Sequence, residues 1–226
     1  MYIEKLLKAS SFHSEATQAV IDQLGVTEIG LIKHSYLVRK FSRLFVEQSS
    51  IFSDPVYMWG IEMGALLHDI GIMGVPKKII NKTEMLTDEE WNFLKDHGID
   101  GKERAELLLR RVTKKRPELT EAITQIGDAI LYHHENWDGT EYYGKKGEEI
   151  PLYAQIIRLS DSLESALKTR PNHRAYTLDE FIFQITADEQ YKNHYNPELV
   201  ELFVQFIQSN REAIEKSHIT ISEMGE

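Results

Sequence analysis

Hydrophobic residues recur along this chain at intervals of three and four, as expected of helices that each bury one face. From Ile29 to Gln48, the residues Ile32, Tyr36, Leu37, Phe41, Leu44 and Phe45 fall on one side of a helix. Residues 1–28 show a looser version, with Ala16, Ala19, Val20 and Leu24 ahead of Gly25, and predict one or two lead-in helices. Asp54-Pro55 sets a capping carboxylate before a proline at the first helical position. The helix it opens is expected to run to His68-Asp69 and to be stopped by Gly71, after which Ile72 to Asn81 reads as a loop or extended segment.

The second half of the chain repeats these signals. Thr87-Asp-Glu-Glu90 and Thr177-Leu-Asp-Glu180 are capping boxes, and Asn196-Pro197 is a further helix start. Between them, apolar periods predict a helix through Ala105, Leu107, Leu108 and Leu109, another from Leu119 to His134, and another from Pro151 through Leu167. Residues 136–149 have turn-forming glycines and no apolar period, so a surface loop is expected. No stretch alternates like a strand. The class is therefore all-α, a helical bundle, with residues 1–28 as a lead-in and 29–226 as the main domain.

Composition narrows the function. The chain is 42% hydrophobic, enough for a real core, and 26 Lys plus Arg stand against 36 Asp plus Glu, a net charge of -10. That balance argues against a nucleic-acid polymer as partner, while a small anionic ligand needs a site that brings its own positive charge. There is no cysteine, so thiolate metal sites and disulfides are excluded. No apolar run approaches the ~20 residues of a membrane span, so no membrane association and a cytoplasmic location are expected.

Five of the nine histidines, His34, His68, His97, His133 and His134, lie at or near helix ends or first turns, together with Asp69 and Asp161. Adjacent helical side chains diverge by roughly 100°, so His68 and Asp69 suit a pair of metal ions better than one, Asp69 offering an oxygen to each. A hydrogen-bonded pair at a helix end is the simpler alternative for the dipeptide by itself. A bundle can gather all seven residues in its core.

In order, His34-Ser-Tyr-Leu-Val38, Leu66-Leu67-His68-Asp69-Ile70-Gly71, the Leu86 to Trp91 box, Lys95-Asp-His97, His133-His134-Glu135-x-x-Asp138-Gly139, Gly147 to Pro151, Asp161, Arg170-Pro171 and Asn196 to Val200 resemble the HD superfamily of metal-dependent phosphohydrolases, and within it the HD-GYP phosphodiesterases. The resemblance implies an HD-domain helical bundle with the metal site in its core. It implies that His34, His68, Asp69 and Asp161 hold one metal, and that Asp69, His97, His133 and His134 hold the other. Two such cations, about 3.5 to 4 Å apart, would bind a bridging hydroxide and a phosphate, with His68 and Asp69 at the centre of the chemistry. Histidine-rich ligation suits two divalent transition metals, iron, manganese, zinc or nickel. The implied substrate is a small anionic nucleotide, a cyclic dinucleotide such as cyclic di-GMP.

Four positions depart from the family. Glu141-Tyr142-Tyr143 replaces Gly-Tyr-Pro, Ile72 replaces a lysine, Gln155 replaces an arginine, and Gly30 stands where three-metal members carry glutamate, so at most two metals are expected. Candidate substrate contacts are Arg170, Lys77, Tyr142 and Tyr143, with Lys78 and Arg174 as further basic residues. Because Ile72 can neither meet a phosphate nor move a proton, a signalling or docking module without turnover is the alternative, and a monoester nucleotidase a third reading. A homodimer through the lead-in region is also an option.

Overall fold

The computed structural model describes residues 29–52, 54–112, 117–169 and 174–223, so the predicted lead-in helices lie outside the described residues. Within them the chain folds as nine α-helices joined by turns and short 3-10 segments, with no strand. The helices are α1 (Ile29–Ser49), α2 (Pro55–Leu67), α3 (Lys77–Ile80), α4 (Asp88–Lys95), α5 (His97–Val112), α6 (Thr120–Tyr132), α7 (Leu152–Ala166), α8 (Leu178–Thr186) and α9 (Pro197–Glu223).

Helix α2 is the axis of the bundle. Every residue from Trp59 to Leu67 is buried, so this stretch of the helix has no solvent face and must be covered on all sides. On one side Ile61 and Ala65 join Val38, Phe41 and Phe45 of α1, Ile156, Ile157 and Leu163 of α7, and Phe203, Phe206 and Ile207 of α9. On the other, Trp59, Met63, Leu66 and Leu67 pack against Leu108 and Leu109 of α5 and Ile123, Ile126 and Ile130 of α6. Glu62, the one carboxylate inside α2, accepts from Arg39 at 2.8 Å and Arg43 at 3.0 Å, which neutralises it and pins α1 alongside.

The cap signals act as the sequence predicts. Asp54 accepts from the Val56 amide at 2.7 Å, and both threonine boxes close, Thr87 with Glu90 and Thr177 with Glu180. The end of α2 differs from expectation. The helix closes at Leu67, His68 is its C-cap, and Asp69 opens a 3-10 turn over Ile70–Gly74. Gly71 does not terminate a helix; it lies where this turn touches the start of α5, and a Cβ there would sit 1.9 Å from the His97 carbonyl oxygen. The segment expected to be loop is this turn followed by the single-turn α3, elements too short to carry an apolar period. Helix α9 is kinked at Asn210, whose side chain bonds the Phe206 carbonyl and Gln48 instead of continuing the helix.

Candidate metal centre

Helix ends aim the histidines. The Nδ1 of His68 lies 2.8 Å from the Ala65 carbonyl, that of His97 2.5 Å from the Leu94 carbonyl, and that of His133 2.7 Å from the Ile130 carbonyl. Each ring therefore donates through Nδ1 to the carbonyl three residues back and keeps the lone pair of Nε2 for the site. His34, on α1, donates instead from Nδ1 to Glu164 of α7 at 2.6 Å, and Lys168 holds the other oxygen of Glu164 at 3.1 Å.

All of these rings meet around Asp69. Its Oδ2 lies 3.6 Å from His34 Nε2 and 3.5 Å from His68 Nε2, while its Oδ1 lies 3.7 Å from His97 Nε2 and 3.6 Å from His133 Nε2. Asp161, from the middle of α7, stands 3.3 Å from His34 Nε2. Two sets of donors result, His34 with His68 and Asp161, and Asp69 with His97, His133 and His134, each within 4.8 Å of one another. The carboxylate of Asp69 faces both.

The donor chemistry fits cations. His97 Nε2 and His133 Nε2 are buried and have no hydrogen-bond partner, although such atoms are normally satisfied. They point lone pairs at a carboxylate oxygen that has only lone pairs to return, an arrangement that a positive ion reconciles. The Nε2 atoms of His34 and His68 stand 3.1 Å apart. With both Nδ1 atoms committed as donors, that contact needs a proton or a cation between them.

Proton affinities follow the same division. Burial pushes His68 and His97 below their ordinary value of 6.5, and burial reinforced by His133 and Arg158 pushes His134 well below it, so these rings stay neutral. Burial also acts to lower His34, but its bonds to Asp161 and Glu164 outweigh that and hold it at about 10. Burial would raise Asp69 and Asp161, yet the surrounding imidazoles, His68 for Asp69 and His34 for Asp161, bring both below 3.8. Both carboxylates are ionised at neutral pH.

The substrate candidates are less gathered. The Tyr142 ring lies against His134, with centroids 4.9 Å apart, and 6.3 Å from His97, with the exposed Trp91 edge-on at 5.9 Å. Burial, then Glu141, pushes the Tyr142 hydroxyl up to about 12, so it remains a donor at neutral pH. Lys95 stands 5.6 Å from the Tyr142 ring centre and 5.2 Å from that of Tyr143. Tyr143 instead anchors the loop: its amide, with that of Lys145, bonds the buried Glu135 at 2.8 Å each. Lys77 and Lys78 lie exposed on α3, and Arg170 is outside the described residues. Arg174 is paired with Glu180 at the start of α8, so it serves a helix cap and not the centre. Gln155 bridges the Ile150 carbonyl at 2.7 Å and Asn196 at 2.9 Å, a structural role.

Three residues were given no role by the sequence reading. Glu164 lies one turn beyond Asp161 on the same face of α7, and that i,i+3 spacing is the signal that points to it. Arg158 lies one turn before Asp161, marked in the same way. Glu135 stands in the His133-His134-Glu135 motif without a role assigned, because its partners lie eight and ten residues away in a loop.

Comparison with known proteins gives a consistent family. The profile described as "HD domain" matches residues 26–199. A cyclic di-GMP phosphodiesterase of Thermotoga maritima is 34% identical over 152 residues, 66% of this chain and 38% of that protein. The cyclic di-GMP phosphodiesterase response regulator RpfG of Xanthomonas campestris pv. campestris is 36% identical over 138 residues, 60% of this chain and 33% of the relative. The chain thus spans about a third of the length of these relatives. Among solved structures, an HDG"Y"P protein from Bdellovibrio bacteriovorus superposes with a TM-score of 0.59 at 15% identity, covering 86% of this chain and 61% of the other, which establishes the shared fold.

Proposed function

The chain belongs to the HD-domain family, and from that premise we propose that it is a two-metal phosphohydrolase that cleaves a phosphodiester, with a cyclic dinucleotide such as cyclic di-GMP as substrate. The observation that carries the reading is the split of Asp69, one oxygen toward His34 and His68 and the other toward His97 and His133. The names of the related phosphodiesterases support the substrate class.

His34, His68, Asp69 and Asp161 would hold one divalent ion, and Asp69, His97, His133 and His134 the other, with iron, manganese, zinc or nickel suited to the donor set. When bound, the pair supplies Lewis acidity toward phosphate oxygens and a water made acidic enough to attack at neutral pH. The chain's own residues do the rest. Two carboxylates among five imidazoles leave the centre positive once loaded, so it attracts an anionic diester despite the chain's net charge of -10. Glu164 fixes the ring of His34, and the three backbone carbonyls fix His68, His97 and His133. Tyr142 lies against the His134 ring and keeps its hydroxyl protonated at neutral pH. Tyr143 holds the loop that carries Tyr142.

The test is metal analysis followed by hydrolysis of bis(p-nitrophenyl) phosphate and of a panel of cyclic dinucleotides, linear dinucleotides and nucleoside monophosphates. Wild type is expected to hold about two metals and to turn over diesters, and Asp69→Ala to lose both properties. Wild type that holds two metals and is no faster than Asp69→Ala sinks the enzyme reading and leaves the docking module, which the isoleucine at position 72 favours. Cleavage of monoesters alone would make it a nucleotidase.

A further inference from the structure

Most cations around this bundle are matched with carboxylates: Arg39 and Arg43 with Glu62, Lys102 with Asp128, Arg174 with Glu180, Arg211 with Asp179. Arg158 is not, among the described residues. Its guanidinium donates from Nη2 to the neutral Asn136 Oδ1 at 2.7 Å and stands 6.0 Å from the centre of the Tyr195 ring. Its Nε is buried and has no hydrogen-bond partner. A half-buried guanidinium with unspent donors and no counter-anion is costly to keep.

Its position explains what it is kept for. Arg158 precedes Asp161 by one turn on the same face of α7, and Asn136 follows His134 by two residues. The guanidinium is therefore tethered between the helix that supplies one metal ligand and the segment that leaves another. Its charge reaches the His134 ring, where it acts with burial, and the Tyr142 hydroxyl, where it acts against burial and Glu141. Family members carry a lysine at position 72, where this chain has an isoleucine whose carbonyl closes the 3-10 turn.

We propose that Arg158 is the anion-binding residue of this site, taking a phosphate of the substrate on the His134 side of the metal pair. The proposal rests on the phosphohydrolase reading above and identifies a positive charge on the chain itself for an anionic substrate, at a site where position 72 offers none. A phosphate matches a planar guanidinium through two parallel hydrogen bonds, and a neutral ligand would leave the charge uncompensated.

The test uses the metal-loaded full chain and needs no turnover. Titration of inorganic phosphate into wild type, Arg158→Gln and Arg158→Lys by calorimetry is paired with metal content per chain. We expect Arg158→Gln to keep its metals and to bind phosphate roughly 10- to 100-fold more weakly, with KM for a diester rising in parallel. Arg158→Lys, which keeps the charge and the stem but not the fork, should fall between the two, and it carries the test if the glutamine variant does not fold. Unchanged phosphate affinity in the glutamine variant overturns the proposal, and so does a loss of affinity that only tracks a loss of metal, which would make Arg158 a structural support. Wild type that binds phosphate through Arg158 and cleaves nothing would refute the hydrolase reading and leave the anion site standing.

Discussion

Replacing Gly71 with alanine is expected to cost the protein one of the two metals proposed for it and spare the other. The methyl group would lie 1.9 Å from the His97 carbonyl oxygen and 2.7 Å from the Gly101 amide nitrogen, both backbone atoms of α5 that cannot rotate away. A carbon approaches a carbonyl oxygen to about 3.3 Å, so α5 and the Ile70–Gly74 turn must part by roughly 1.4 Å. Metal ligands tolerate about 0.2 Å. The separation opens between Asp69 and His97, which face each other at 3.7 Å, and spares His34, His68 and Asp161, which reach the centre from α1, α2 and α7. Overpacking of this kind costs about 3 kcal/mol, a fall in Tm of roughly 6–12 °C for a chain of this size. Elemental analysis of the purified variant should then give about one metal per chain, with far-UV circular dichroism close to wild type. Gly74→Ala is the control, because the added carbon there meets the movable end of the Asp100 side chain at 2.9 Å. A Gly71→Ala protein with two metals and the wild-type Tm would refute the account of how α5 is seated.

Other perturbations separate the parts of the site. Glu164→Gln weakens the grip on the His34 ring, so chelator competition should show one metal bound 10- to 100-fold more loosely while the second is unaffected. In metal-free protein the elevated His34, at about 10, stabilises the fold fully below its unfolded value near 6.5 and ceases to do so as pH rises through about 10. Thermal melts of chelator-treated protein should therefore fall between pH 6.5 and 10, and His34→Gln should flatten that slope. Asp69 and Asp161 act in the opposite sense: their depressed values stabilise above 3.8 and are lost as the pH drops below it, so the same melts should fall steeply in acid.

How much of this was legible from residues alone depended on how local each signal is. The caps at Asp54, Thr87 and Thr177 are written in three or four neighbouring residues, and they form as read. The all-α class follows from periods that span whole helices. The Gly71 error has the same root: in sequence a glycine after an apolar run looks like a stop, whereas its real constraint comes from a helix 26 residues further on, at His97. His34 and Asp161 entered the set as residues a bundle could gather, but their pairing at one metal came from the resemblance, since nothing in their own neighbourhoods points across the bundle. Arg174 misled for the converse reason, as a basic residue near a family motif that is already committed to a helix cap.

The rings of His68, His97 and His133 are tethered to carbonyls of the turns just before them, and this sets a clock as well as a geometry. None of the three can swing out without giving up that bond, and two of the carbonyls, those of the buried Ala65 and Ile130, belong to the last turns of α2 and α6. Reorientation of these rings thus waits for helix ends to fray, on a timescale set by local unfolding and not by side-chain rotation. The site is thus built before any ion arrives, and a cation that enters finds three rings already aimed, with little side-chain freedom left to lose.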